Sequence, residues 1–283
     1  MQQVASIIEQ YLQGKNPADP EGGEDHIVHS ADFIALFDGV TSRGRAVSEG
    51  LRLDGMSPGR WAAVALGAAV LDLPPDVDAL TASSILSSAL ADGQTRLGIN
   101  PEEWGWPAAA QITVFSKHRM EVWRIGDAHV AVNGVALPDN PTPLDGPAVA
   151  FRSAVLWAMI AGGATPEDLK RSDPSWDMLL PLLELQHHLR NAPDTTNPFA
   201  YGLLDGRQVD ESFVQIYPVC TRDEVVFASD GYLSPAATLE EAEGALASCL
   251  AEDPLLIGKH LGFRPVADGM LSFDDRSYVR FTA

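Results

Sequence analysis

The sequence predicts an α+β sandwich, and three observations carry that expectation. Apolar segments of strand length fall into blocks separated by segments of helical spacing, which gives strands, helices, strands, helices and strands in place of strict strand–helix alternation. A doubly wound sheet is therefore excluded. The 283 residues, 46% hydrophobic and 20% charged, suffice to bury a full core. No internal repeat, low-complexity tract or long charge run marks a linker, so a single domain over residues 1–283 is expected.

Each element follows from its local pattern. MQQVASIIEQYLQGKN reads as a short helix, and the Pro- and Gly-rich KNPADPEGGEDH as a loop leading to strands at HIVHS and DFIALFD. In SPGRWAAVALGAAVLDL, Ser57 suits an N-cap and Pro58 the first helical position, ahead of an Ala- and Leu-rich body. VDALTASSILSSALADG is a second helix, ending at Gly93. AAAQITVFS, RMEVWRIGD and AHVAVNG are spaced like a strand meander, the last two separated only around Gly126-Asp127. From about 138 to 197 the pattern is mostly helical, in VAFRSAVLWAMIAGG and PSWDMLLPLLELQHHLRN, and reads as a helical insertion. Strands return at FAYGLLDG, ESFVQIYPV and DEVVFASD, followed by the helix TLEEAEGALASCL and a last strand in DRSYVRFTA.

Charge narrows the function. With 19 Lys and Arg against 39 Asp and Glu, the formal charge is -20, which argues against binding a nucleic-acid backbone. Such a surface attracts divalent cations or basic peptides instead. Cys220 and Cys249 lack metal-motif spacing and are too few for a disulfide framework, so a reduced, cytoplasmic setting and inert core thiols are expected. No stretch has the roughly 18 uninterrupted apolar residues of a membrane span, and the N-terminus lacks a basic n-region. A soluble, unprocessed monomer is expected.

Asp-Gly occurs at Asp38, Asp54, Asp92, Asp145, Asp205, Asp230 and Asp268, and most such pairs are turns. Only Asp38 and Asp230 directly end long apolar strands, where a rigid scaffold can aim a carboxylate and Gly lets backbone approach closely. Glu24-Asp25 precede a strand, Asp127 lies between two, and Asp274-Asp275 open the last. Acids gathered this way repel unless a cation neutralises them. Oxygen-only ligands suit Mg²⁺ or Mn²⁺ over Zn²⁺.

In order along the chain, GGEDHI, ALFDGVTS, RIGDAHV, VFASDGYLSP and FDDRSYVRF resemble the motifs of the metal-dependent serine/threonine protein phosphatases of type 2C. The resemblance implies a four-layer αββα sandwich with two antiparallel sheets flanked by helices. It implies Asp38 bridging two ions, Glu24 and the Gly39 carbonyl serving one, and Asp230 and Asp274 the other. Asp25 is implied to hold catalytic water, and Asp127 with Asp230 to match a third ion. Two adjacent ions activate a shared water and offset phosphoryl charge, so no protein nucleophile is needed. Departures bear on the substrate: Pro20 stands where relatives carry a phosphate-binding Arg, Thr41 and Ser42 replace two glycines, and Ala128-His129 replace Ser-Arg. Arg43 or Arg45 are candidate replacements for the missing Arg. Asp275, one residue along an extended strand, is expected to face away, and Asp205 and Asp268 to be ordinary turn residues. The implied activity is hydrolysis of phosphoserine or phosphothreonine in a phosphoprotein. The alternatives are a pseudophosphatase acting as a phosphoprotein-binding module, and a phosphatase of a small phosphorylated metabolite.

Overall fold

In the computed structural model, which describes residues 5–194 and 196–283, the apolar run Phe33–Phe37 is covered on both sides. Phe33, Ala35 and Phe37 of β3 (Phe33–Gly39) share a cluster with Leu66 of α2 (Pro58–Leu71) and Leu86 of α3 (Ala79–Arg96). Ile34 and Leu36 instead join Phe227 and Phe281 from a second sheet. Because side chains alternate along a strand, a continuous apolar run needs cover on both faces. The layers follow from that.

One sheet has the order β2 (His26–His29), β3, β4 (Ala110–Ser116), β5 (Glu121–Ile125), β8 (Gln215–Pro218). The other runs β1 (Ser6–Gln13), β10 (Arg276–Thr282), β9 (Glu224–Ala228), β6 (His129–Val132), β7 (Val135–Ala136), and the pairings in both are antiparallel. α7 (Leu239–Glu252) covers the outer face of the second sheet, where Leu246 clusters with Val226, Ala228 and Tyr278. Two five-stranded sheets flanked by helices give the α+β sandwich that the segment order predicts. The short α1 (Arg45–Ser48) follows β3, and α4 (Asp145–Ala161), α5 (Pro166–Arg171) and α6 (Ser175–Leu185) occupy the segment after β7.

Four expectations are corrected. The N-terminal segment, of which residues 1–4 lie outside the described residues, forms β1 and no helix. Its helix propensity yields to a ladder with β10, in which Tyr11 pairs with Tyr278. The expected meander is split: β4 and β5 pair, but β6 crosses to β9 in the other sheet. Gly126, at φ 110°, makes that crossing in a conformation that favours glycine. FAYGLLDG forms only isolated bridges, Ala110 with Leu204 and Arg190 with Tyr201, before turning at Gly206 (φ 104°). Finally, α3 runs past Gly93, whose lack of a side chain serves packing and not a stop, since a Cβ there would lie 2.7 Å from the Trp61 ring.

Candidate metal centre

The acids collect at strand ends. Asp38 ends β3 with the same parity as Ile34 and Leu36, which directs its carboxylate into the gap between the sheets. Asp127 follows β5, Asp230 follows β9, Asp274 and Asp275 precede β10, and Glu24 and Asp25 precede β2. Asp38, Asp127 and Asp230 each bring a carboxylate oxygen within 4.8 Å of the others. Gln111, the cross-strand partner of Asp38, accepts a hydrogen bond from the Asp127 backbone N–H. It thereby ties the sheet crossing to β4.

The glycines of the two Asp-Gly pairs have a packing reason. A Cβ on Gly231 would run into the carbonyl oxygen of Asp275, and one on Gly39 would lie 2.7 Å from the Glu24 carbonyl oxygen. Close backbone approach is what places acids from distant segments side by side. Gly39 also donates its N–H to that Glu24 oxygen at 3.2 Å.

Asp38 Oδ2, Asp127 Oδ1 and Asp25 Oδ2 are buried and have no hydrogen-bond partner among the described residues. Burial, reinforced by Asp230 and Asp25, holds the Asp38 carboxyl well above the usual carboxylate range. Burial likewise pushes Asp25 up to about 7, against the pull of the Ser277 and Ser229 hydroxyls. Buried acids in this state take up either protons or a cation. A set of convergent oxygens with orphaned lone pairs fits a hard divalent ion.

Glu24 and Asp274 are placed differently. Glu24 Oε1 accepts from Ser57 Oγ at 2.6 Å, and Oε2 from Thr41 Oγ1 at 2.7 Å. Thr41 thus supplies a hydroxyl to the site. Asp274 Oδ1 accepts from the Lys15 ammonium at 2.7 Å, a charge-assisted bond. Asp275 does not face away: it is buried, and its oxygens accept from the backbone N–H groups of Lys15 (2.7 Å) and Glu24 (2.8 Å). It positions the loop that carries Glu24.

Beside the acids lies a cavity of about 410 Å³, lined by Asp145, Asp230 and Asp274 together with Arg43, Lys259 and Arg264. Arg43 makes no hydrogen bond or ion pair among the described residues, and its buried Nη1 has no partner. Trp176 and Phe263 hold its guanidinium at 5.7 and 5.9 Å from their ring centroids. Arg264 lies 4.8 Å from the same Trp176 ring. Burial, then Arg264, lowers the Arg43 pKa. Arg45 does not reach the site; it is exposed, stacks on Trp104 at 4.2 Å and pairs with Glu49 and Glu103.

Other expectations change with their surroundings. Asp205 is no ordinary turn residue, being fully buried between Arg190 (2.8 Å) and Arg207 (2.6 Å). Cys220 is exposed, whereas Cys249 is buried. His129 turns to the Tyr232 carbonyl oxygen at 3.1 Å. The sequence reading missed Lys15 and Arg264. The available signal was scarcity: each is one of only 19 basic residues, and each lies in a loop flanking an acid-bearing strand end.

Solved structures of serine/threonine phosphatases are the neighbours of this fold. PstP/Ppp from Mycobacterium tuberculosis is 15% identical, with a TM-score of 0.49 and coverage of 98% of this chain and 99% of that one. Stp1 from Staphylococcus aureus is 11% identical, with a TM-score of 0.47 over 100% and 98% of the two chains. RsbX in complex with magnesium is 9% identical, with a TM-score of 0.45 over 98% of both. Comparison with protein-family models and with curated proteins returns no match.

Proposed function

We propose that this chain is a metal-dependent phosphatase of phosphoserine and phosphothreonine in proteins. One observation carries the reading: three carboxylates, two of them with an orphaned oxygen, converge beside a cavity that the guanidinium-bearing Arg43 also lines. Asp38, Asp127 and Asp230 would hold Mg²⁺ or Mn²⁺. A cation there supplies Lewis-acid activation of water and offsets charge on phosphoryl oxygens.

The chain's own residues do the rest. Arg43, fixed between two rings, presents N–H groups to a phosphate monoester, a geometry in which guanidinium binds two oxygens at once. Arg264 adds a second positive charge on the same side. Asp25, buried and unpartnered at Oδ2, accepts a proton from water approaching between the sheets. The cavity opens beside α4 and the 259–264 loop, which gives a phosphorylated side chain a way in.

Hydrolysis of an aryl phosphate and of phosphopeptides, assayed with Mn²⁺, with Mg²⁺ and after chelation, tests the reading. Turnover that requires added metal supports it; turnover that survives thorough chelation sinks it. The hydroxyl and ammonium donors already engaging Glu24 and Asp274 favour a second reading, a phosphoprotein-binding module of weakened catalysis. Phosphopeptide binding without hydrolysis would select that one, and turnover of metabolites alone would select a small-molecule phosphatase.

A further inference from the structure

Lys15 is the cation that the acidic strand ends already possess. Its backbone is fixed on both sides: its N–H donates to Asp275 Oδ1 at 2.7 Å, and its carbonyl accepts from Leu271 N–H at 2.9 Å. From this anchor the side chain, about a quarter exposed (28%), places Nζ 2.7 Å from Asp274 Oδ1 and 3.7 Å from Asp275 Oδ2. Glu24 also acts on this ammonium, and its own oxygens are taken by Ser57 and Thr41. So the acids divide into two groups. Asp38 and Asp127, each with an orphaned oxygen, face Asp230, whereas Glu24 and Asp275 accept protein donors at both oxygens and Asp274 at Oδ1.

We propose that the centre takes a single divalent ion, at Asp38, Asp127 and Asp230, and that the Lys15 ammonium stands in the place of a second. The inference rests on the metal-dependent reading above. A divalent ion on Asp274 would sit against an ammonium already bonded to the same oxygen, and the two positive charges repel. Removing the ammonium leaves Asp274 Oδ1 with only the Asp275 backbone N–H at 2.9 Å and takes away the positive charge that opposes a metal there. The fixed charge also supplies, without any ion, part of the positive field that a transferring phosphoryl group requires.

Counting Mn²⁺ per chain by equilibrium dialysis, on the full chain, decides it. The wild type is expected to bind about one ion and Lys15→Met, which keeps the methylene packing, about two, with Asp274→Asn in the Lys15→Met background returning to about one. Two ions on the wild type overturn the inference while leaving the metal-dependent reading intact, and this arm needs no variant to fold. A count that stays at one in folded Lys15→Met also overturns it. No bound Mn²⁺ on the wild type removes the metal-dependent reading itself.

Discussion

Arg43 and Arg45 are two positions apart and carry the same charge, yet only one has it free. Arg45 spends its guanidinium on Glu49, Glu103 and Trp104 at the surface, whereas Arg43 faces the cavity with no acid bonded to it. Arg43→Ala is therefore expected to raise KM for an aryl phosphate about tenfold or more, with a smaller change in kcat, as when uniform binding is lost. Arg45→Ala should leave both parameters near wild type; equal effects of the two substitutions would refute the assignment. The carboxylates divide in the same way. Asp38→Asn should remove Mn²⁺ binding and reduce kcat by orders of magnitude, while Asp268→Ala, which loses an exposed pairing with Lys170 at 3.3 Å, should be silent. Asp205→Ala belongs to neither class. Losing a buried acid between two arginines costs about 3–5 kcal/mol of stability, seen as a lower denaturation midpoint.

At the scale of elements, the strand ends are what the sequence announces and the partners of those ends are what it conceals. Continuous apolar runs that stop at Asp-Gly made Asp38 and Asp230 legible, because the signal is local. Lys15 was not legible, since its contact with Asp274 spans 259 positions and exists only because β1 pairs with β10. Reading β1 as a helix removed that pairing, and with it the ammonium and the role of Asp275. The β6 crossing was missed for a related reason: Gly126 looks like any hairpin glycine until the sheet that receives β6 is known. The junction of the β9 and β10 ends gives a direct check. Gly231→Ala pushes a Cβ into the Asp275 carbonyl oxygen, so the Asp230 and Asp274 segments must separate. The expected outcome is weakened Mn²⁺ binding, with the far-UV dichroism of the sandwich retained. Unchanged Mn²⁺ affinity would show that the close approach plays no part in the site.

For the whole molecule, 39 acids against 19 bases make stability depend on which acids keep their protons. Burial, with lesser contributions from neighbouring acids, raises Asp25 and Asp145 to about 7 from a usual 3.8. An acid raised on folding stays protonated in the native chain at pH values where the unfolded chain has released its proton. Its contribution to stability is therefore full below the unfolded value and is lost as pH climbs toward the folded one. Without metal, stability should fall from about pH 4 to about pH 7, by at most about 1.4 kcal/mol per pH unit for each such group. In a chain of this size each kcal/mol shifts Tm by ~2–4 °C. A divalent cation reverses the balance, because it binds the deprotonated cluster and adds stability by mass action. Calorimetric Tm measured over this range is thus expected to decline with chelator and to flatten or rise with millimolar Mn²⁺. A metal-free Tm that stays level across the range would mean that the acids are not held above their usual values. A decline that Mn²⁺ leaves untouched would mean that these carboxylates are not where the cation binds.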